Sequence, residues 1–290
     1  MMRKSLTGTF RPGWVLKWIG YLLLFAWFAT TVYPIVYLFL TSLMLDPQIL
    51  ADPFSVPRPA VVDNYVSVIT GTRSNQSVLS SVANSIVVTC GSLALLLGTS
   101  SLAGYALARG HFPGNQAAQQ IFLLAMAVPA HVLLIPIYFL FGELGLLSNL
   151  VGLMLLYATL GLPFTTLLMR AYFVSFPKEI EEAARLDGCS QFAVFWRIVM
   201  PISKGAMATM AIINIGWIWS ELFFALILLG KPETRTLPFV IASYQPAMFE
   251  TQNTIGSLFA ILALATLPMI IIYVLFQKQI RSGMTAGAVK

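Results

Sequence analysis

The sequence predicts an all-α integral membrane protein with six transmembrane helices. Of its 290 residues, 58% are hydrophobic and only 10% are charged, whereas soluble domains carry about 25% charged residues. Apolar runs recur along the chain, each close to the roughly 20 residues that a helix needs to cross a bilayer. Basic residues are concentrated in alternate connecting segments, a distribution typical of membrane proteins.

Six apolar runs supply the predicted spans. They are expected at about 18–43, 79–107, 117–141, 150–172, 206–229 and 254–276. The first run is too long for the apolar core of a signal peptide, which has about 7–15 residues, so we interpret it as a retained helix. Proline inside the runs is tolerated because neighbouring helices can satisfy the freed backbone groups. The chain, residues 1–290, is therefore expected to form a single transmembrane domain.

The basic residues set the predicted orientation. Six spans place both termini on one side, and thirteen of the 17 Lys and Arg residues then lie on that side. The positive-inside rule makes it the cytoplasmic side. The net charge of +6 would suggest a nucleic-acid partner for a soluble protein. Here anionic membrane lipid accounts for it, so we expect lipid and no nucleic acid as a partner.

The chain offers no chemistry of a catalytic or metal site. His111 and His131 do not have metal-ligand spacing with each other or with cysteine, so no metal is expected. The predicted topology places Cys90 and Cys189 in different compartments, which argues against a disulfide. A phosphate-binding Gly-x-x-x-x-Gly-Lys-Ser/Thr loop does not occur in the sequence, and the spans contain no Ser/His/Asp set, paired Asp or His-Glu-x-x-His arrangement. We therefore expect no catalytic residue and no cofactor.

The longest charged stretch, residues 176–201, lies between the fourth and fifth predicted spans. Pro177 suits the first turn of a helix, and acidic residues follow it at the positive end of the helix dipole. Glu181 and Arg185 have the spacing of a favourable i,i+4 ion pair. Gly188 is the predicted helix stop.

A second short helix is predicted after that glycine, with Ser190 as its N-cap. Four apolar residues then repeat at i, i+3, i+4 and i+7, which indicates one apolar stripe; they are Phe192, Phe195, Trp196 and Val199. A solvated surface loop and a DNA-binding helix-turn-helix have similar outlines. The apolar runs that tether both ends make the DNA-binding interpretation improbable.

Residues in this segment resemble the EAA motif of bacterial ABC importer permeases. That motif is Glu-Ala-Ala, three residues, Gly, nine residues and Ile-x-Leu-Pro. Here it reads 182–184, Gly188 and 198–201, with Met200 in place of Leu. Lys204-Gly205 stands where the family often has a further proline.

Other stretches resemble the carbohydrate subfamily, in particular the second membrane subunit of the maltose transporter. They are Asn-Ser-Ile-Val-Val at 84–88, Tyr-Ala-Leu-Ala-Arg at 105–109 with Phe-Pro-Gly at 112–114, Trp-Ser-Glu-Leu-Phe at 219–223 with Ser for Asn, and the tail at 283–290. The resemblance runs from about the first span to the last residue.

The resemblance implies a type I ABC importer permease fold in a bacterial inner membrane, with 176–201 as the loop that docks a coupling helix into a cytoplasmic ATPase. The residues expected to couple to the ATPase are Glu181, Glu182, Ala183, Ala184, Arg185, Asp187 and Gly188. It also implies that ATP is bound by an ATPase subunit dimer, and that a second homologous permease and an extracytoplasmic solute-binding protein are partners. The binding protein would dock on the outer loops, 45–78 and 230–253, and the tail would contact the ATPase.

Polar groups inside the predicted spans are the candidates for a substrate pathway. Glu221 is the only acidic residue placed in a span, and such groups usually face a cavity or a partner. Asn214 lies two turns earlier on nearly the same face, and Trp217 could stack on a sugar ring. Hydrogen bonding between helices and aromatic packing are the structural alternatives. Asn84 and His131 are expected as helix-packing groups.

Two other functions fit parts of these observations. An ion-coupled secondary transporter would need a coupling carboxylate, for which Glu221 is the candidate. An ABC importer of glycerol phosphate or another polyol satisfies the same motifs as a sugar importer. Dependence of uptake on ATP or on the proton gradient separates the first alternative from the ABC importer.

Overall fold

The computed structural model describes residues 12–71, 78–244 and 255–286. They form helices, turns and connecting loops, with no strand among them, which confirms the all-α prediction. The helices are α1 (Pro12–Thr41), α2 (Asp46–Ala51), α3 (Asp63–Thr70), α4 (Val78–Arg109), α5 (Asn115–Ala127), α6 (Leu134–Glu143), α7 (Leu150–Ser175), α8 (Lys178–Leu186), α9 (Gln191–Val194), α10 (Met200–Ile202), α11 (Lys204–Ser220), α12 (Phe223–Leu228), α13 (Leu237–Tyr244) and α14 (Ile255–Ala286). The basic N-terminus, part of each outer loop and residues 287–290 of the tail lie outside the described residues.

Four of these helices, α1, α4, α7 and α14, are long and apolar enough to cross a membrane. Two bent pairs could each form one more span: α5 with the 130–143 stretch, bent by 86°, and the 191–202 stretch with α11, bent by 73°. The described residues therefore contain four to six candidate spans. Their number and boundaries relative to a bilayer stay predictions.

Two of the predicted spans are not single helices. The 117–141 run breaks at Val128 and Pro129, which both have extended backbone angles, because a proline disfavours helical geometry in the residue before it. The 206–229 run breaks at Glu221, which is extended and separates α11 from α12. The hydropathy of this run is continuous, but its helix is interrupted between Ser220 and Phe223.

The centre of the fold is the pair α4 and α7, which share the most extensive helix contact. Gly104 allows the close approach: a Cβ built there would lie 2.9 Å from the backbone nitrogen of Arg170. α11 packs on both helices of this pair and α14 packs on α11, whereas α1 packs mainly on α14. Side chains such as Trp27 on α1 are 75% exposed, so this helix leaves a long apolar surface uncovered.

Two buried polar residues fix the short helices α2 and α3. Asp46 accepts hydrogen bonds from the backbone N–H groups of Ile255 and Gly256, at 3.0 and 2.9 Å. Asn64 donates to the carbonyls of Ser42 and Met44, at 3.0 and 2.8 Å. A carboxylate at the N-terminus of a helix satisfies otherwise unpaired donors and complements the dipole. Asp46 thus ties α2 to the beginning of α14, whereas Asn64 ties α3 to the turn that follows α1.

Candidate functional site

The 176–201 segment folds as predicted around its glycine. Gly188 has φ 86°, and its N–H donates to the Arg185 carbonyl at 3.0 Å while the Cys189 N–H donates to the Ala184 carbonyl at 3.0 Å. This pair of bonds is the Schellman motif, which ends helices on a left-handed residue and favours glycine there. The turn therefore stops α8 and exposes its last residues.

The seven predicted coupling residues divide into two groups. Glu181 and Ala184 are buried, at 3% and 6% exposure. The others face outward; they are Glu182, Ala183, Arg185, Asp187 and Gly188. Only the outward-facing group is accessible to another protein in this structure, and its role in coupling stays a prediction.

Glu181 is held by α4 and not by the predicted pair with Arg185. Its Oε1 accepts from Arg109 Nε at 2.9 Å, and its Oε2 accepts from the Tyr105 hydroxyl at 2.8 Å. Arg109 Nη2 also donates to the Phe176 carbonyl at 2.7 Å. The Arg109 and Glu181 side chains are 6% and 4% exposed, so this pair is shielded from water and salt much more than a surface pair would be. We refer to Tyr105, Arg109 and Glu181 as the α4–α8 clamp.

The second part of the segment corrects the predicted stripe. Ser190 caps α9 as expected, accepting from the Ala193 N–H at 3.3 Å. Residues 195–199 then form a π-helical turn, in which the i, i+3, i+4 spacing no longer defines one face. Phe195 and Val199 are consequently buried, whereas Phe192 and Trp196 are 69% and 43% exposed.

The break in the fifth run makes Glu221 the cap of α12. Its Oε1 accepts from the Phe224 N–H at 3.0 Å, and its Oε2 lies 3.4 Å from the Ala225 N–H. The Tyr157 hydroxyl of α7 also donates to Oε2. The carboxylate thus occupies the position that satisfies a helix N-terminus. This geometry favours the structural interpretation of Glu221.

Asn214 likewise bonds within the protein. Its Nδ2 donates to Thr165 Oγ1 at 3.1 Å and to the Met210 carbonyl at 2.8 Å. Its Oδ1 accepts from Trp217 Nε1 at 3.1 Å. Asn214 is 1% exposed, so its role visible here is to join α7 to α11 and to fix the Trp217 indole.

All three predicted pathway residues line one cavity of about 310 Å³. Aromatic rings form much of its remaining wall, namely Phe164, Phe224 and His131. The His131 ring stacks on Phe224 with centroids 5.8 Å apart. The structure therefore brings together residues that were predicted separately and adds His131, which we had expected only as a packing group.

Two features of the site were not predicted from the sequence. They are the contribution of Tyr105 and Arg109 to the α4–α8 clamp, and the exposed Leu186 at the end of α8. Tyr105 and Arg109 stood out only as a family-like stretch, although a buried basic residue needs an acidic partner. Leu186, at the end of α8, is 89% exposed. An apolar residue between Arg185 and Asp187, directly before a helix-stop glycine, was the available signal for a contact surface.

The chain is similar in sequence to permease proteins of transport systems. The family described as binding-protein-dependent transport system inner membrane component matches residues 97–286. A trehalose transport system permease protein, SugB of Mycobacterium tuberculosis, is 30% identical over 258 residues, which are 89% of this chain and 92% of that protein. A diacetylchitobiose uptake system permease protein, NgcG of Streptomyces coelicolor, is 27% identical over 269 residues, 93% of this chain and 87% of that protein.

The fold also matches a solved structure. A chain from the crystal structure of a bacterial ABC transporter involved in the import of the acidic polysaccharide alginate superimposes with a TM-score of 0.79. The match covers 96% of this chain and 99% of that one, at 23% sequence identity. The two chains share their architecture along nearly their whole lengths.

Proposed function

This chain belongs to the family of binding-protein-dependent transport system inner membrane components, and we propose that it is the permease subunit through which ATPase closure drives the import of an oligosaccharide or a similar sugar. The relatives named for trehalose and diacetylchitobiose transport support a sugar as the substrate class. ABC permeases of this kind work with an ATPase and a solute-binding protein.

The observation that carries the proposal is the shape of α8 and its glycine turn. The EAA-like residues lie on a short helix that projects Glu182, Arg185 and Asp187 outward around the exposed Leu186. An apolar tip ringed by charges is the composition of a protein interface with an apolar centre and a polar rim. We infer that this surface docks into a cleft of the ATPase.

The remaining partners follow from what this chain lacks by itself. ATP is bound and hydrolysed by a separate ATPase dimer, because the sequence carries no phosphate-binding loop, and this subunit needs no cofactor of its own. A second homologous permease completes the pathway, and the uncovered surface of α1 leaves room for it and for lipid. Both termini and α8 lie on the cytoplasmic side of a bacterial inner membrane, in agreement with the positive-inside rule.

The sugar pathway runs along the cavity beside Trp217. Aromatic faces such as those of Trp217, Phe164 and Phe224 offer large, rigid apolar surfaces, which suit the C–H faces of a pyranose ring. Glu221 is unsuited to ion coupling, because its carboxylate already accepts from Tyr157 and from the backbone of α12. The ion-coupled alternative is therefore not favoured.

The proposal is tested by purification and uptake. The chain is expressed with a candidate ATPase, a second permease and a solute-binding protein from the same genome. The detergent-solubilised complex is isolated through a tag on this chain. We expect the ATPase and a second permease to co-elute, and uptake of labelled oligosaccharide into proteoliposomes to require internal ATP. A chain that purifies without an ATPase, or uptake that follows a proton gradient, would overturn the proposal.

A further inference from the structure

Helix α4 connects the two ends of the bundle by polar contacts. At its last turn, the clamp residues Tyr105 and Arg109 bind Glu181 of α8. Near its first turns, Asn84 Nδ2 donates to the carbonyls of Glu233 and Arg235, at 2.8 and 3.0 Å. From Asn84 to Arg109 is about 37 Å along a helix that rises about 1.5 Å per residue.

A second contact strengthens the far end. The Leu237 N–H donates to Ser85 Oγ at 2.8 Å, and both residues are buried. The neighbouring Thr236 is also buried, at 4% exposure. Residues 233–237, which we call the α12–α13 connection, are therefore hydrogen-bonded to two adjacent residues of α4. They are fixed to α4 as α8 is at the other end.

α4 is built to move as one body. It is continuous over 32 residues and contains no proline, whereas α1, α7 and α14 each contain one in their interior. Sharp helix kinks arise mostly at proline, at Gly/Ser pairs and at local breaks in the hydrogen-bond ladder. α4 contains the pair Gly91-Ser92, and its α-helix is unbroken through that pair. Displacement of one end of α4 is thus passed to the other end with little internal bending.

We propose that α4 is the element that transmits movement of α8 to the α12–α13 connection, and that Tyr105, Arg109 and Glu181 at one end and Asn84 and Ser85 at the other are its positioning residues. The inference rests on the proposed function, because it takes α8 as the surface that the ATPase moves. It goes beyond docking: Glu181 is buried, so it acts through α4 and not by touching the ATPase.

The α12–α13 connection is a suitable receiver for this movement. It follows α12, whose start is capped by Glu221 and whose Phe224 lines the aromatic cavity. It precedes α13, which packs on both α4 and α14. A shift of α4 along its axis would displace both short helices and change the opening of the cavity at that end.

The experiment uses the complete transporter reconstituted in lipid vesicles, with Cys90 and Cys189 replaced by serine. Spin labels are placed at Leu50 and Lys231, both exposed, and the distance between them is measured without nucleotide and after trapping with ATP and vanadate. The probe is ATP with vanadate, so an unidentified sugar does not limit the measurement. The reference is the change in label-to-label distance on trapping, measured in the labelled transporter without a further substitution.

The test variants are Tyr105→Phe, Glu181→Gln and Asn84→Ala. Each is expected to reduce the fraction of transporters that show the shift by at least about fivefold, the low end of coupling factors between linked sites. For Tyr105→Phe and Asn84→Ala, assembly with the ATPase and basal ATP hydrolysis should stay within about twofold of the reference, a change worth under 1 kcal/mol. Tyr105→Phe keeps the ring packed and remains informative if Glu181→Gln, which leaves Arg109 unpaired, does not fold.

Thr99→Val is the matched control, because Thr99 is exposed on the same helix and its hydroxyl bonds only to carbonyls of α4. It should leave the shift unchanged. The inference is overturned if Asn84→Ala keeps the full shift, or if every loss at the clamp is matched by loss of assembled complex. Failure of the proposed function looks different: the reference transporter then assembles no ATPase or shows no ATP-dependent shift.

Discussion

Substitutions of Gly188 by alanine and by aspartate distinguish the effect of backbone strain on stability from the effect of the side chain on docking to the ATPase. The residue has φ 86°, and a Cβ built on it meets nothing within 4 Å. A side chain at this position therefore clashes with no other part of the chain, and its cost is the energy of the left-handed backbone conformation. For alanine that cost is about 1–2 kcal/mol, which lowers the population of the turn by a factor of roughly 5–30. Aspartate tolerates the left-handed region better than alanine does, but adds bulk and a negative charge beside Asp187.

The two substitutions should therefore rank oppositely in two assays. In thermal unfolding of the purified chain, Gly188→Ala is expected to be the more destabilising. In ATP-driven uptake, Gly188→Asp should abolish transport while the protein still inserts, because its side chain would lie on the surface that we propose to dock to the ATPase. Gly188→Ala should retain part of the activity. Normal ATPase co-purification and uptake with Gly188→Asp, or uptake that follows the order of thermal stability, would refute the reasoning.

Three further substitutions test the packing and the caps. Gly104→Ala should destabilise the chain by about 1–3 kcal/mol in thermal unfolding, because its Cβ meets fixed backbone. At Gly98 a Cβ meets no atom within 4 Å, so Gly98→Ala should instead stabilise α4 by about 1 kcal/mol. If both substitutions changed the stability in the same direction, the packing argument would be contradicted. Asp46→Ala should cost about 0.5–2 kcal/mol of stability through loss of the α14 cap, and unchanged unfolding would exclude that role. Glu221→Gln should lower thermal stability through the α12 cap but leave ATP-driven uptake; abolished uptake at unchanged stability would favour ion coupling.

The features predicted well from the sequence depend on residues close together in the chain. Gly188 and Ser190 act on helices that begin or end beside them, and hydropathy over about 20 residues reports a helix that can span a bilayer. The EAA-like spacing also predicted the position of α8, because its Glu-Ala-Ala residues, 182–184, lie in that helix. Local signals of this kind are decided by backbone geometry and need no tertiary partner.

The features predicted wrongly depend on distant partners. Glu181 was paired with Arg185 at i,i+4, but a pair on an exposed helix face contributes only about 0.2–0.5 kcal/mol. Arg109, 72 residues away in sequence, offers a buried partner, and leaving either charge of a buried pair alone costs about 3–5 kcal/mol. The tertiary arrangement therefore decides the pairing. The predicted stripe at 192–199 was wrong for a related reason. Phe195 and Val199 pack in a buried cluster with Tyr105 and Phe173, and the chain between them forms a π-helical turn.

The cavity has a consequence for selectivity. Two polar wall residues, Asn214 and Glu221, already bond to Thr165, Trp217, Tyr157 and backbone groups. The third, His131, stacks its ring on Phe224. A sugar in this cavity would therefore meet mainly aromatic faces, and sites reject a wrong substrate strongly only when they hydrogen-bond the groups that distinguish it. On this side of the pathway, recognition is expected to be broad and weak. Weak contacts let a substrate leave the membrane after each cycle, so we expect discrimination among sugars to reside in the binding protein and the partner permease.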